Sequence, residues 1–434
     1  MRLSKTRSMN PLLRIACLAP ARVLAHLLMR IGRGSALPGL LYERLDRSFL
    51  RETLLQLPQG VIVVSGTNGK TTTTKLVTAM LRGQGLTVVT NSSGSNYSRG
   101  VVSMLLGAVD WRGRVRADIA VLELDEAHAV PFVAAVPPRF SLLLNAMRDQ
   151  LDRYGEIDTA AGFLGAIADA TTEGVVVNGD DRRLGHAGFA ASSTARVTGF
   201  RVDPSLLSRL PREYRPFTPV DTAAGDRDET RLLEVSAGSL IAEFGGRVHQ
   251  FTMALDGFYN ALNAIAAIAL CRTVLGEELH TAAMLHTAGE VGPAFGRGER
   301  ILVGDSPIEL VLVKNPGSFE MALEAGRQLD SAVMIAVNDN LADGRDVSWL
   351  WDVDFTALSV RGAHILTGRR AADVALRLKY DLVEFGSVLP SIPDALRAFI
   401  DGNPDRPKRV YCTYTAMLAL RRELTTAAAF EGAR

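Results

Sequence analysis

The chain contains few cysteines, and they lie far apart in the sequence. Cys17, Cys271 and Cys412 are its three cysteines, and no Cys-x-x-Cys segment occurs. This spacing argues against a disulfide framework and against a zinc site built from cysteine thiolates. The cysteine content instead suits a protein of a reducing compartment.

The chain also lacks a strong excess of either charge. Its formal net charge is +1, from 48 Lys and Arg against 47 Asp and Glu, which gives no indication of a nucleic-acid partner. A hydrophobic content of 47% and a mean hydropathy of +0.12 are typical of a folded globular protein rather than of a disordered one. A length of 434 residues predicts two or three domains, each with its own core.

The N-terminal segment has no acidic residue before Glu43 and no long apolar run. Arg14, Arg22 and Arg30 interrupt its apolar residues, so that no stretch approaches the roughly 20 residues that span a bilayer. A signal peptide is also disfavoured, because no apolar core precedes a small-residue cleavage site. We predict that residues 1–50 form a basic leader of helices that packs on the first domain, and a helix on a membrane surface is the alternative. We expect a cytoplasmic protein.

The most informative segment that is present is Val61–Met80, which reads VIVVSGTNGKTTTTKLVTAM. A β-branched run, a glycine loop and a helical pattern follow one another, and this order predicts a strand, a phosphate loop and a helix. Lys70 would neutralise the outer phosphates, and the hydroxyl of Thr71 suits a Mg²⁺ ion. The glycines are closer together than in an ordinary Walker loop, and a simple glycine turn is the alternative. The residues that we predict to bind nucleotide here are Gly66, Thr67, Asn68, Gly69, Lys70, Thr71 and Thr72.

A cluster of charged residues follows the apolar run Ile119–Leu124 and reads Glu-Leu-Asp-Glu-Ala-His from Glu123 to His128. Carboxylates and an imidazole at a strand end could hold a metal or position a substrate. The alternative is that Asp125 and Glu126 cap the next helix. Because Lys70 and Thr71 lie at another strand end, we predict that Glu123 is a Mg²⁺ ligand together with Thr71.

Further apolar runs alternate with helical spans, which predicts a parallel, doubly wound sheet. The predicted strands of this first sheet are Val61–Val64, Leu86–Thr90, Ile119–Leu124, Phe140–Leu144 and Val175–Val177. Residues 202–230 are polar and show no clear period. Arg231–Phe244 and Arg247–Met253 then resemble a β-hairpin that turns at Gly245-Gly246.

An alanine-rich helix is predicted from Asp256 through Leu270, with Asn260 and Asn263 one turn apart. Such a pair is either buried and satisfied or contacts a ligand. The glycine-rich segment Gly289–Glu299 marks a domain boundary, so that we predict a leader (1–50), a central domain (51–295) and a smaller α/β domain (296–434). The predicted strands of the smaller domain are Ile308–Val313, Ala332–Val337, His364–Leu366, Val383–Phe385 and Arg409–Tyr414.

These segments, in this order, resemble the Mur ligase superfamily. The resemblance implies a central domain that binds ATP and Mg²⁺ and a C-terminal domain that closes over the nucleotide. It implies that Lys70 and Thr71 hold phosphate and metal, and that Asn260 and Asn263 lie near the adenine. Arg297 would reach the nucleotide after closure. The matching segments are GTNGKTT, Glu123, Asn145-x-x-x-Asp149-x-Leu-Asp152, Asn260 with Asn263, and Phe-Gly-Arg297-Gly-Glu-Arg.

Departures from the amino-acid-adding ligases narrow the resemblance. About fifty residues of leader are too few for a UDP-sugar domain. Gln150 follows Asp149, where those ligases usually have a histidine, and Lys314 replaces the histidine of their His-Asn-Pro segment. These features are similar to the MurT type of subunit of lipid II isoglutaminyl synthases. Many such subunits carry a four-cysteine zinc ribbon, but this chain has no cysteine between Cys17 and Cys271, so we predict no zinc.

The resemblance implies an ATP-dependent amidation of the D-glutamate α-carboxylate in the lipid II stem peptide, through an acyl phosphate, to D-isoglutamine. It implies ammonia from a GatD-type glutamine amidotransferase in a heterodimer, whose Cys–His pair would be completed by an acid of this chain. Asp343, Asp346 and Asp352 are the candidates, and Asp346 is our prediction. An amino-acid-adding Mur or folylpolyglutamate-type ligase and a non-catalytic ATP-binding subunit are the alternatives. A lipid-linked substrate leaves contact with the inner face of the membrane open.

Overall fold

The computed structural model describes most of the chain, in two compact units. The first unit holds the described residues within Met1–Ala146, Asp158–Leu207 and Tyr214–Gly292, and the second holds those within Met147–Ile157, Ser208–Glu213 and Pro293–Arg434. Every structural statement below refers to the described residues. They are 17–18, 20–23, 37–91, 98–148, 157–186, 188–210, 228–236, 238–255, 257–292, 297–303, 306–327 and 329–431.

The first unit is built on a nine-stranded sheet. Its strands are β1 Val61–Ser65, β2 Val88–Thr90, β3 Ile119–Glu123, β4 Phe140–Leu143, β5 Gly174–Asn178, β6 Arg196–Val202, β7 Thr230–Ser236, β8 Ser239–Phe244 and β9 Arg247–Thr252. They lie in the order β2-β3-β1-β4-β5-β6-β7-β8-β9. Neighbours from β2 to β7 are parallel, and the last two pairs are antiparallel. The prediction of a doubly wound parallel sheet is confirmed.

Helices cover this sheet, which explains why every residue of β1, β3, β4 and β5 is buried. In the helix Phe258–Leu275, all residues from Ala261 to Cys271 are buried. In the described part of the chain, Phe258–Glu278 is long and apolar enough to cross a membrane, but 67% of its apolar window is buried, as in a core helix. The helices are α1 Leu37–Leu45, α2 Phe49–Leu54, α3 Lys70–Gly83, α4 Ser98–Ala108, α5 Glu126–Ala135, α6 Ile157–Ala170, α7 Phe258–Leu275 and α8 Thr281–Glu290.

The described part of the leader packs into the first unit. Tyr42 of α1 and Phe49 of α2 are each 1% exposed, and their rings meet edge to face with centroids 4.8 Å apart. Both rings belong to the same core cluster as Val61 of β1 and Leu105 of α4. Residues 1–16 and 24–36 of the predicted leader lie outside the described residues.

Three strands of the first sheet, β6, β7 and β8, differ from the prediction. β6 has no continuous apolar run, because its first residues are exposed and it includes Gly199. The segment predicted as one strand over Arg231–Phe244 is wrong as a single element. It forms β7 and β8, which pair antiparallel and are separated by a turn at Gly238, whose φ is +71°. The predicted turn at Gly245-Gly246 is confirmed, since it joins β8 to β9 with positive φ at both glycines.

The second unit contains a six-stranded sheet in the order β10-β11-β15-β12-β13-β14. These strands are β10 Arg297–Val303, β11 Ser306–Leu312, β12 Ala332–Ala336, β13 Ala363–Thr367, β14 Phe385–Leu389 and β15 Lys408–Cys412. Only the pairing of β10 with β11 is antiparallel among the described strands of this sheet. The edge strand β10 was not predicted, and β14 begins where its predicted strand, Val383–Phe385, ends.

In the second unit a helix follows each of β11, β13, β14 and β15, beginning with α9, Pro316–Gly326. Asn315, which the sequence identified only as part of a Lys-Asn-Pro segment, caps α9 by accepting a 2.9 Å bond from the Ser318 N–H. Two short 3₁₀ turns, Ser348–Asp352 and Phe355–Leu358, follow the loop after β12. The helices are α9 Pro316–Gly326, α10 Ala371–Tyr380, α11 Ile392–Asp401 and α12 Tyr414–Glu431.

Candidate nucleotide-binding site

The phosphate loop, residues 66–69, leaves the sheet where the strand order reverses. The chain runs from β1 to β2, returns through β3 to one side of β1, and then places β4 on the other side. Val64 lies level with Glu123 of β3, and Ser65 with Leu143 of β4. Ligands of open α/β sheets bind in the crevice that such a reversal leaves at the carboxyl ends of the strands. The loop, Glu123 and the residues that follow β4 therefore share one edge of the sheet.

Two glycines of the loop have backbone conformations that other residues rarely adopt. Gly66 has a φ of +132°, and Gly69, directly before α3, has a φ of +91°. A Cβ at Gly66 would lie 2.9 Å from the Asn145 nitrogen, and one at Gly69 would lie 2.4 Å from Asn263 Oδ1. Because no side chain fits at either position, bare backbone precedes the N-terminus of the 14-residue helix α3. This arrangement fits a bound phosphate group.

Asn145, directly beyond the end of β4, holds the loop by three hydrogen bonds. Its backbone oxygen accepts from the Thr67 N–H at 3.0 Å. Its side-chain Oδ1 accepts from the Asn68 N–H at 2.8 Å, and its Nδ2 donates to the Asn68 oxygen at 3.0 Å. Thr67, Asn68 and Asn145 are all at least 95% buried. The side-chain amide of Asn145 thus bonds to the loop backbone, as the backbone of a neighbouring strand would, and fixes the shape of the loop.

Lys70 is the buried cation of the site. Its Nζ donates to the Gly66 oxygen at 2.5 Å and lies 3.3 Å from Glu126 Oε2. The side chains of Lys70 and Glu126 are each only 7% exposed. The sequence leaves open that Glu126 caps the next helix, but the structure places its carboxylate against the lysine. Thr72, predicted with the loop, is buried in the first turn of α3.

The hydroxyl of Thr71 and the carboxylate of Glu123 converge. Thr71 Oγ1 donates to Glu123 Oε1 at 3.0 Å. The side chain of Asn91 fixes the backbone of Glu123, because its Nδ2 donates to the Glu123 oxygen at 2.8 Å and its Oδ1 accepts from the Glu123 N–H at 2.9 Å. Two adjacent oxygen ligands of an octahedral Mg²⁺ ion are about 3 Å apart, since each lies about 2.1 Å from the metal. The spacing of Thr71 and Glu123 fits that ion.

No group of three or more His, Cys, Asp and Glu side chains converges in the part of the chain that the structure describes. A hydroxyl and one carboxylate are nevertheless a typical protein contribution to a magnesium site. Mg²⁺ usually keeps several waters and takes phosphate oxygens from its substrate. Thr71 and Glu123 therefore fit a metal that arrives with a nucleotide better than a permanently bound ion.

Asn263 lies beside the phosphate loop. Its Oδ1 accepts from Thr73 Oγ1 at 3.2 Å, and the residue is 4% exposed. Its Nδ2 has no hydrogen-bond partner among the described residues, so one donor of this buried amide is available to a ligand. Asn260 lies one turn earlier on α7 and is half-buried. Contact of Asn260 and Asn263 with an adenine stays a prediction.

Several predicted residues lie outside what the structure describes. Arg297 begins β10, but its side chain is outside the described part. The same is true of Asp149, Gln150 and Asp152, which belong to a segment that resembles the family. The predicted contact of Arg297 with the nucleotide therefore stays a prediction.

The three candidate acids of the second unit differ in their surroundings. Asp343 is 6% exposed, and its carboxylate accepts from the N–H groups of Asn340 and Thr415 and from Thr415 Oγ1. Asp352 forms an ion pair with Arg148 of the same unit at 2.8 Å. Asp346 is half-buried, and its carboxylate accepts only local bonds, from the N–H and the hydroxyl of Ser348, among the bonds resolved for the described residues.

Sequence reasoning missed two features of this site. The first is the contact of Glu126 with Lys70, which the sequence leaves open because a carboxylate at the start of a helix is equally expected of a capping residue. The side chain of Asp181, beyond the end of β5, accepts a 2.8 Å bond from the Ala146 N–H and so contacts the segment that carries Asn145. The sequence Asn-Gly-Asp-Asp from Asn178 shows a polar strand end but not which neighbour it contacts.

Comparisons with known proteins agree with this geometry. A family model of the Mur ligase middle domain matches residues 64–271, and a model of the MurT ligase C-terminal domain matches residues 312–417. The MurT subunit of the lipid II isoglutaminyl synthase (glutamine-hydrolyzing) of Streptococcus pneumoniae is 29% identical over 430 residues, which cover 92% of this chain and 94% of that subunit. The subunit of the same name from Staphylococcus aureus (strain COL) is 28% identical over 377 residues, which cover 81% and 84%.

A solved structure supports the fold. MurF ligase from Thermotoga maritima, in complex with ADP, superposes with a TM-score of 0.64 at 16% sequence identity and covers 87% of this chain and 83% of that protein. At this identity the similarity concerns the fold alone. The chain thus combines a Mur ligase middle domain with a MurT-type C-terminal domain and is similar over nearly its whole length to MurT subunits of lipid II isoglutaminyl synthases.

Proposed function

We propose that this chain is the ligase subunit of a lipid II isoglutaminyl synthase. It would convert the α-carboxylate of D-glutamate in the stem peptide of lipid II to an amide, giving D-isoglutamine, with ATP as a substrate. The observation that carries the proposal is the phosphate loop with Lys70 and the Thr71–Glu123 pair, in a chain that is similar to MurT subunits over 92% of its length.

The chemistry requires an activated carboxylate. A carboxylate oxygen would attack the γ-phosphorus of ATP, ADP would leave, and an acyl phosphate would form. The lone pair of ammonia would then attack the acyl carbon, and phosphate would leave with the electrons of the C–O bond while nitrogen loses a proton to solvent. The protein contributes mainly positioning and neutralisation of charge, as in other phosphoryl transfers.

Named residues have distinct tasks in this proposal. The loop backbone from Gly66 to Gly69 and the ammonium of Lys70 would bind the phosphates. Thr71 and Glu123 would hold Mg²⁺, which when bound lowers the repulsion between the phosphate charges and the incoming carboxylate. Arg297 would reach the nucleotide from the C-terminal domain, and Asn260 and Asn263 would lie near the adenine.

The ammonia would come from a partner. Most free ammonia is protonated at neutral pH and has no lone pair, so a glutaminase that releases it locally is physically sensible. The S. pneumoniae and S. aureus relatives are named as subunits of a glutamine-hydrolyzing enzyme. We assign the partner to the GatD-type glutamine amidotransferases, in a heterodimer with this chain.

Asp346 is the best candidate to orient the histidine of the partner's Cys–His pair. Asp343 is buried and its carboxylate already accepts three bonds, and Asp352 is paired with Arg148. Asp346 is half-buried and accepts only local bonds from Ser348 among those resolved for the described residues. A third group that orients the base is a general requirement of a nucleophile–base pair.

One assay separates this proposal from its alternatives. The chain is incubated with lipid II, ATP and Mg²⁺, and with either ammonium or glutamine plus the amidotransferase, and the product is identified by mass. A carboxyl-to-amide change supports the proposal. Addition of a supplied amino acid would indicate an amino-acid-adding ligase, and nucleotide binding without a product would indicate a non-catalytic subunit. Each of these two outcomes overturns the proposal.

Asp346→Asn tests the assigned acid in the same assay. It should abolish the glutamine-dependent reaction and preserve the ammonium-dependent one, because the acid serves the partner's histidine and not the ligase site. Asp352→Asn is the matched control, since it removes a nearby exposed carboxylate and should preserve both reactions. Equal loss of both reactions in Asp346→Asn would contradict the assignment.

The proposed substrate also bears on location. Lipid II is held in a membrane, so the protein would act in the cytoplasm at the inner face of that membrane. The basic leader is the segment proposed to contact the membrane surface. A vesicle-binding assay with anionic lipids, comparing the full chain with a chain that lacks residues 1–36, tests this contact.

A further inference from the structure

We propose that Asp181 is a positioning residue for the nucleotide: it holds the segment after β4 so that Asn145 keeps the phosphate loop in its binding shape. The inference rests on nucleotide binding by that loop, which is part of the proposed function. It concerns a residue that lies one strand further from the loop than Asn145.

The carboxylate of Asp181 is buried among backbone N–H groups. The residue is 2% exposed, and its Oδ1 accepts from the N–H groups of Arg183 at 2.8 Å and Leu184 at 3.1 Å. Its Oδ2 accepts from the Ala146 N–H at 2.8 Å. Two of these bonds close the turn that carries Asp181, and the third connects this turn to the residue directly after Asn145. Asp181 therefore joins the end of β5 to the end of β4.

Asn178, at the end of β5, makes a parallel connection. The Nδ2 of Asn178, which is 2% exposed, donates to the Leu144 oxygen at 3.0 Å. The backbone groups on both sides of Asn145, the Leu144 oxygen and the Ala146 N–H, are thus held from β5. Asn145 in turn makes its three bonds to Thr67 and Asn68. The shape of the loop depends on a chain of contacts that begins at the end of β5.

The isosteric variant Asp181→Asn interrupts this series of contacts at the bond to the Ala146 N–H. An amide has one acceptor oxygen where the carboxylate has two. That oxygen should remain with the two N–H groups of Arg183 and Leu184, which leaves the amide NH₂ facing the Ala146 N–H. Two donors that face each other in a buried site repel and lack an acceptor. The segment carrying Asn145 should shift, and the phosphate loop should lose its binding shape.

The neighbouring residue Asp180 provides a matched control. It is 5% exposed, and its Oδ2 accepts from the Val202 N–H at 2.6 Å while its Oδ1 lies 3.8 Å from Arg201. These partners lie on β6, on the side of β5 away from the phosphate loop. Asp180→Asn therefore perturbs a carboxylate of similar burial in the same turn but not the connection to Asn145.

The experiment measures binding of MgADP by calorimetry, together with the thermal midpoint of each variant. Asp181→Asn should weaken binding by about tenfold or more, because it leaves a buried donor without an acceptor. Asp180→Asn should leave the affinity within about twofold of wild type, whatever change it makes to the midpoint. In an Asn145→Ala background, Asp181→Asn should have no further effect on affinity, because its action passes through Asn145.

The outcomes distinguish this inference from the proposed function. A wild-type chain that does not bind MgADP would contradict the proposed function itself. A wild-type chain that binds MgADP while Asp181→Asn binds equally well would overturn only the positioning role. The positioning role would also be overturned if Asp180→Asn weakens MgADP binding as much as Asp181→Asn does, or if the effects of Asp181→Asn and Asn145→Ala on the affinity are additive. Where Asp181→Asn does not fold, Asn178→Ser removes the parallel connection to Leu144 and should weaken binding in the same direction, and unchanged binding would contradict the inference.

Discussion

The ion pair between Lys70 and Glu126 predicts an unusual response to a mutation at the nucleotide site. In the structure, Glu126 supplies the negative charge next to the ammonium that is expected to bind phosphate. A bound nucleotide would bring its own negative charge to the same ammonium. Glu126→Gln should therefore destabilise the nucleotide-free protein but strengthen binding of the nucleotide.

The magnitude follows from the distance and the burial. Two unit charges 3.3 Å apart interact by about 5 kcal/mol at an effective dielectric constant of about 20. The net loss in Glu126→Gln should be smaller, about 2 kcal/mol, because the oxygens of Gly66 and Thr67 still accept from Lys70 Nζ. This corresponds to a decrease of about 4–8 °C in the unfolding midpoint of a unit of this size. If phosphate replaces Glu126 completely, the affinity for ADP should rise by up to about thirtyfold.

Thermal unfolding with and without ADP, and calorimetric titration with ADP, measure both effects. Titrations in Mg²⁺ and in EDTA separate the lysine from the metal. The matched control is Asp125→Asn, which removes the adjacent carboxylate, whose Oδ1 lies 3.6 Å from His128 Nδ1. This control should leave the affinity within about twofold of wild type.

Three results would refute the reasoning. Weaker ADP binding by Glu126→Gln in both Mg²⁺ and EDTA would show that Glu126 supports the bound nucleotide instead of competing with it. Weaker binding in Mg²⁺ alone would show that Glu126 acts through the metal. A nucleotide-free protein with an unchanged midpoint would show that the ion pair contributes no net stability.

Three further predictions address neighbouring features. Gly69→Ala should abolish MgADP binding in calorimetry, because its Cβ would meet Asn263 Oδ1 at 2.4 Å. Gly85→Ala is the control: Gly85 has a similar φ of +90° and no atom within 4 Å, so this variant should cost about 1–3 kcal/mol of stability and preserve binding. Equal binding by both variants would contradict this prediction. Glu123→Gln should raise the Mg²⁺ concentration needed for half-maximal amidation by about tenfold or more, and an unchanged Mg²⁺ titration would exclude it as a ligand. Burial raises the pKa of Asp180 to about 6. Between about pH 4 and pH 6 the folded protein therefore keeps a proton on Asp180 that the unfolded chain has lost. The free energy of unfolding should fall as the pH rises through this range. Asp180→Asn should therefore gain up to about 3 kcal/mol relative to wild type over this window in urea unfolding, and a pH-independent difference would contradict the assignment.

The sequence alone determined the parts of the site that depend on local order. The β-branched run before Gly66 and the helical pattern after Lys70 predicted the strand, the loop and the helix, and the structure has all three. Periodicity also predicted the parallel core of the first sheet, because buried parallel strands are apolar throughout. The similarity to the MurT type was visible in segments that are specific only when they are taken together and in their order along the chain.

Strands with mixed exposure were predicted less well. The sequence pattern does not predict β6 or β10 and does not separate β7 from β8, because strands with exposed residues carry polar side chains and lack a continuous apolar run. The turn at Gly238 separates two segments whose pattern continues across it. Pairing with neighbours far along the chain, and not local propensity, decides where such strands begin and end.

Only the tertiary structure decided which side chains meet at the phosphate loop. Asn145 is 77 residues from Asn68, and Glu126 is 56 residues from Lys70. In the sequence, a carboxylate after a strand end is consistent with a cap, a metal ligand or an ion pair, because all three require the same residue type. The order of β3, β1 and β4 in the sheet brings these residues to one edge, and strand order is a property of long-range pairing that local sequence does not encode.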